Sequence, residues 1–121
     1  MKRDMELTRK ILFELENKPD DYELFKPTVE GYTNEEISYH IGKLYEAGFV
    51  DAVNFRGGDK NDWYAKTMTW HGHEFLDLAR NDSVLNKAKE VLADGFKTVS
   101  IEGMKMVLNK LLSDHLSNLP S

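Results

Sequence analysis

Between Thr33 and Leu78 the chain carries strong local punctuation, and this restricts the possible fold more than any other feature. Thr33 with Glu36 three residues on forms a capping box, each side chain answering a free backbone N–H at a helix start. Ile37, His40, Ile41, Leu44 and Tyr45 then follow at helical spacing, and Gly48 stands where a left-handed stop is expected. Phe49 to Phe55 and Trp63 to Thr69 are rich in strand-forming residues, and Arg56 to Asp62 between them reads as a mobile glycine-containing hairpin tip. Thr69 can cap a further helix from Trp70 to about Arg80 that buries Phe75, Leu78 and Ala79.

Elsewhere the signals are weaker. Met5, Thr8, Ile11, Leu12 and Leu15 predict a first helix over about residues 2–16, stopped by Asn17 and Pro19. Residues 20–32 contain Pro27 and Gly31, and Thr28-Val29-Glu30 is a candidate short strand. Val84, Leu85, Ala88, Val91 and Leu92 predict a helix ending at Gly95. Ser100 caps a last one, with Ile101, Met104, Leu108, Leu111, Leu112 and His115 on one stripe. The expected class is α+β and mostly helical: a winged helix-turn-helix-like core over 1–80, with a C-terminal helical extension over 81–121, in a single domain. The extension needs a cover for its apolar faces, either the core or a second chain. Met104, Leu108, Leu111 and Leu112 are therefore a candidate homodimer interface.

Composition excludes several classes. No apolar run approaches the roughly 18 residues needed to cross a bilayer, and the first residues lack an apolar signal core, so a cytoplasmic location is expected. Cysteine is absent, which removes disulfide and thiolate chemistry. Net charge is −5, and its distribution is uneven: residues 19–50 set only Lys26 and Lys43 against seven acids. Phosphate binding needs local positive potential, so this bias opposes a strong duplex binder.

Two resemblances follow from particular residues. Met1-Lys2-Arg3-Asp4-Met5-Glu6-Leu7, Glu35-Glu36-Ile37-Ser38-Tyr39-His40-Ile41, Leu44-Tyr45-Glu46-Ala47-Gly48 and Thr69-Trp70-His71-Gly72-His73-Glu74-Phe75-Leu76-Asp77 resemble a bacterial and phage family known as domain of unknown function 2513. That resemblance covers roughly residues 1–90 and implies a winged-helix fold without an assigned activity. More broadly, Leu44 to Gly48 and Met68-Thr69-Trp70-His71-Gly72 are similar to the recognition-helix end and post-wing segment of winged-helix transcriptional regulators. The departure lies upstream, where about a dozen residues containing Pro27 and Gly31 replace the helix and tight turn that normally precede a recognition helix. The first half of the motif is expected to be shortened or irregular.

If the Thr33 helix meets duplex DNA, Ser38, Tyr39 and Lys43 are the candidate contacts, with Arg56 and Lys60 from the hairpin tip and Lys66 from the second strand. Asp59 and Asp62 dilute that patch. The alternative partner is a basic protein, engaged by Glu35, Glu36 and Glu46. His71 and His73 are two apart, which on a helix turns them about 200° from one another, and neither has the histidine four residues away that a helical metal pair needs. His40 lies on the apolar stripe and reads as a hydrogen-bonded core residue. Paired carboxylates read as caps, Trp63, Tyr64 and Trp70 as packing anchors, and no nucleophile–base pair or phosphate loop is present. The expectation is a non-enzymatic protein with no cofactor, metal or catalytic site. Its leading function is a phage- or prophage-type DNA-associated regulator, and its alternative a protein-binding adaptor or inhibitor.

Overall fold

In the computed structural model, which describes residues 1–57, 60–96 and 98–117, five helices surround one antiparallel hairpin. The elements are α1 (Met5–Glu16), α2 (Asn34–Glu46), β1 (Val50–Asn54), β2 (Trp63–Met68), α3 (Trp70–Ala79), α4 (Asp82–Leu92) and α5 (Ile101–Ser117), with a 3₁₀ turn at Ala93–Gly95. Gly58 and Asp59 of the hairpin tip, and the side chains of Ile101 and His115, lie outside the described residues.

Helix α1 starts at Met5 rather than Lys2. Asp4 is extended, and its Oδ1 accepts the N–H groups of Glu6 and Leu7 at 3.0 and 3.4 Å, which makes it the cap. The capping box of α2 forms as expected, and Gly48 adopts φ +81° just beyond the Ala47 cap. Thr69 caps α3 by accepting the Gly72 N–H, and its own N–H bonds the carbonyl of Phe49, which ties the end of the hairpin to its beginning.

Segment 17–33 holds no helix, so the upstream half of a regular helix-turn-helix is absent here. Its strand-like pairing falls at Phe25 and not at Thr28-Val29-Glu30. Phe25 exchanges backbone hydrogen bonds with Ala65 at 2.7 and 2.8 Å, adding a one-residue third strand beside β2. Within the hairpin Asp51 pairs with Thr67 and Ala52 with Ala65, leaving Lys66 as the extra residue of a bulge.

A single hydrophobic cluster runs from Met5 and Leu7 of α1, through Ile37, Ile41 and Leu44 of α2, to Phe75 and Leu76 of α3 and the two C-terminal helices. Met104 and Leu108 are 0% exposed within the one chain, and Leu111 and Leu112 are half-buried against the same cluster. The stripe expected to join subunits is therefore largely spent on the chain's own core. Two further assignments change. Val91 is 61% exposed, off the buried face of α4 formed by Val84, Leu85 and Ala88. Trp70 is 79% exposed and anchors nothing. Helix α4 stops at Ala93, at φ +48°, two residues before Gly95.

Candidate functional site

Helix α2 buries Ile37, Ile41 and Leu44 in the core, but a second of its faces is also covered. Ser38 and Gly42, one turn apart, receive the start of β2. The Ser38 Oγ accepts the Trp63 N–H at 2.8 Å, and the Trp63 indole lies so close over Gly42 that a Cβ there would sit 2.7 Å from Nε1. A glycine inside a helix costs about 1 kcal/mol relative to alanine. Here the missing side chain leaves the space that the indole occupies. Trp63 is thus half-buried and packs against Tyr45, with ring centroids 5.3 Å apart.

This seating leaves a cleft of about 390 Å³ between α2 and the hairpin. Tyr39, Lys43 and Glu46 line it from α2, and Lys60, Asn61 and Trp63 from the hairpin; Glu35 and Met1 complete its rim. The hairpin side is braced. Asn54 accepts the Asp62 N–H at 2.8 Å and donates to the Asn61 Oδ1 at 2.9 Å, while the Asp62 carboxylate pairs with Lys26. Lys26 in turn lies 4.4 Å from the Tyr64 ring centroid. The base of the tip is therefore cross-linked by side chains, which its composition does not reveal.

The six residues expected at DNA separate into groups. Tyr39, Lys43 and Lys60 meet in the cleft. Ser38 is 5% exposed on its floor and serves to seat the hairpin. Arg56 is exposed at the tip with no ion-pair partner among the described residues, outside the cleft lining. Lys66 is in the bulge, where its carbonyl accepts the Lys18 ammonium, and it does not line the cleft. The acidic set also divides. Glu36 is committed to the Thr33 backbone N–H, whereas Glu35 and Glu46 stand on the cleft rim, and Glu46 holds the Lys43 ammonium at 3.2 Å. Lys43 also lies 5.4 Å from the Tyr39 ring centroid.

Most of the acidity of residues 19–50 is directed elsewhere. Asp20 turns onto the N–H groups of Tyr22 and Glu23, which hold its carboxyl below the usual range, and Asp21 accepts from the Thr67 hydroxyl. Of the seven acids in that stretch, only Glu35 and Glu46 line the cleft.

The N-terminal residues were not expected at this site. Met1 lines the cleft, and Arg3 lines an adjoining hollow with Lys43, Glu46 and Glu102. The path of residues 1–4 is set by His40, which is 3% exposed. Its Nε2 accepts the Asp4 N–H at 2.8 Å and its Nδ1 lies 2.7 Å from the Glu36 carbonyl, so the hydrogen-bond network assigns the ring proton to Nδ1. The Asp4 Oδ2 accepts the Tyr32 hydroxyl at 2.9 Å, and burial followed by this hydrogen bond pushes the Tyr32 phenol up to about 12. One sequence signal pointed this way: a histidine on an apolar stripe needs hydrogen-bond partners.

His71 and His73 are both exposed, and His71 approaches only Glu74, at 3.5 Å. Among the described residues no group of three or more His, Asp or Glu could hold a metal ion, and no helix is long and apolar enough to cross a membrane.

Residues 2–100 match the family described as Hypothetical protein (DUF2513). An uncharacterized protein of Haemophilus influenzae (strain ATCC 51907 / DSM 11121 / KW20 / Rd) is 32% identical over 118 residues, covering 97% of this chain and 100% of that protein. No solved structure matches.

Proposed function

We propose that this chain, which belongs to the DUF2513 family, is a cytoplasmic, winged-helix-like DNA-associated regulator of phage or prophage type. It would grip duplex DNA with the α2–hairpin cleft. The observation that carries this reading is the meeting of Lys43 and Tyr39 of α2 with Lys60 and Asn61 of the hairpin in one cleft. Phosphate contacts from lysine fix register, while the tyrosine and asparagine supply hydrogen-bonding groups for base edges. Arg56, exposed at the tip and outside the cleft lining, adds a further cation on the hairpin. In this mechanism α2 lies along the duplex and the braced hairpin holds the backbone beside it.

A second reading draws on a different observation. Lys43 is already held by Glu46, Glu35 stands on the same rim, and segment 17–33, immediately before α2, holds no helix to brace a backbone contact. These features favour a basic protein partner, bound in an adaptor or inhibitor role. Salt separates the two. On a mixed-sequence duplex of roughly 20–30 base pairs, the DNA reading expects log affinity to fall linearly with log salt between about 50 and 200 mM. Absence of duplex affinity even at the lowest salt contradicts it. In that case the protein-binding reading expects reversal of Glu35 and Glu46 to abolish partner capture.

A further inference from the structure

We infer that residues 1–3 form an arm of the binding surface, supplying the positive charge that the cleft itself lacks, with His40 as its positioning residue. This rests on the DNA reading above and deepens it. In the cleft Lys43 and Lys60 face Glu35 and Glu46, so the charged side chains that line it sum to zero. Phosphate affinity is driven by counterion release and requires a surplus of cations. Lys2 and Arg3 provide one. Both are exposed, neither has an ion-pair partner among the described residues, and the chain places them between Met1 at the cleft and Asp4 at its anchor. Glu102 lines the hollow with Arg3 and offsets one of these two charges, so the surplus cation is the exposed Lys2.

The base of the arm is held at Asp4. A backbone N–H of Asp4 is spent on a buried imidazole of α2, and the Asp4 carboxylate is spent on Tyr32 and on the first turn of α1. The histidine belongs to the same helix that carries Lys43. The base of the arm and the helix therefore share one frame, and residues 2 and 3 leave it from a point fixed relative to the α2 stripe. Pre-orienting a contact in this way reduces the ordering cost at binding.

The test uses the full chain and the same mixed-sequence duplex, read by fluorescence anisotropy across salt. The double variant Lys2→Glu with Arg3→Glu should lower the salt slope by about two, close to 0.9 per lost phosphate contact, with the thermal midpoint unchanged. His40→Leu removes the acceptor and keeps the volume. It should lower the slope similarly and speed hydrogen exchange at the Asp4 amide, whereas His40→Gln, which retains an acceptor, should restore both. A wild-type chain that binds duplex with a slope insensitive to the Lys2 and Arg3 reversals overturns the arm and leaves the proposed function standing. A wild-type chain with no duplex affinity overturns both. An unchanged slope in His40→Leu removes the positioning role. Should that variant not fold, unprotected exchange of the Asp4 amide in the wild type removes it instead.

Discussion

Gly72→Ala is expected to destabilise the protein by about 3 kcal/mol, at the upper end of overpacking changes, and to lower its thermal midpoint by about 10 °C. In a helix interior alanine is ordinarily the better residue by about 1 kcal/mol, so the sign of this effect is set entirely by what the new methyl meets. A Cβ at Gly72 would stand 2.2 Å from the Phe49 carbonyl oxygen, 3.1 Å from its carbon and 2.7 Å from the Met68 Cγ. The first two are backbone atoms, and the oxygen already accepts the Thr69 N–H at 3.0 Å, so it cannot swing aside. Relief requires α3 to lift from the start of β1, which separates Phe75 from Phe49, now 5.4 Å apart between ring centroids, in the middle of the core. Gly57→Ala is the control, because among the described residues nothing lies within 4 Å of a Cβ there; its effect should stay within about 0.5 kcal/mol. Denaturant midpoints of the two variants measure the difference. A Gly72→Ala protein as stable as wild type would mean that α3 does not pack against the hairpin as described.

The largest effect on binding is expected from reversing both cleft lysines. Lys43→Glu with Lys60→Glu replaces two cations by two anions in a cleft already carrying Glu35 and Glu46. Two charge-assisted contacts to phosphate contribute about 1.5–3 kcal/mol each, so duplex affinity at low salt should fall at least about a hundredfold. Stability should change little. Both side chains are at the surface, and the Lys43–Glu46 pair is an exposed one-turn pair of the kind that contributes only a few tenths of a kcal/mol. Reversal of Lys87, exposed on α4, provides the comparison at equal net charge per substitution. A Lys87→Glu loss equal to that of either cleft lysine would reduce the effect to overall charge and contradict a localised site.

What the sequence revealed was local, and what it concealed was long-range. The Thr33–Glu36 box, the Gly48 stop and the Thr69 cap each involve residues within a few positions of one another, and all three form. The pairing of Phe25 joins residues forty apart and depends on the surface β2 offers, so no propensity at Thr28-Val29-Glu30 could place it. Helical periodicity separated the α2 core face from its polar faces but could not say which polar face the hairpin would cover. Ser38 was thus expected at a ligand and instead seats Trp63. Small residues one turn apart, Ser38 and Gly42, were the available signal for that close approach. On α5, Met104, Leu108, Leu111 and Leu112 face the core as their spacing predicts, yet periodicity does not distinguish an internal cover from a partner chain, and Met104 and Leu108 are internal. Trp70 shows the converse limit: a large aromatic at a strand–helix junction remained in solvent.

The central claim is that α2 and the hairpin present a single gripping surface. Backbone amide shifts recorded while a mixed-sequence duplex is titrated into the labelled full chain address it directly. The account predicts perturbations at Tyr39, Lys43, Lys60, Asn61 and Trp63 together, saturating along one isotherm, with α4 and α5 beyond Glu102 unaffected. Perturbations centred on α4 and α5, or confined to one side of the cleft, would contradict it.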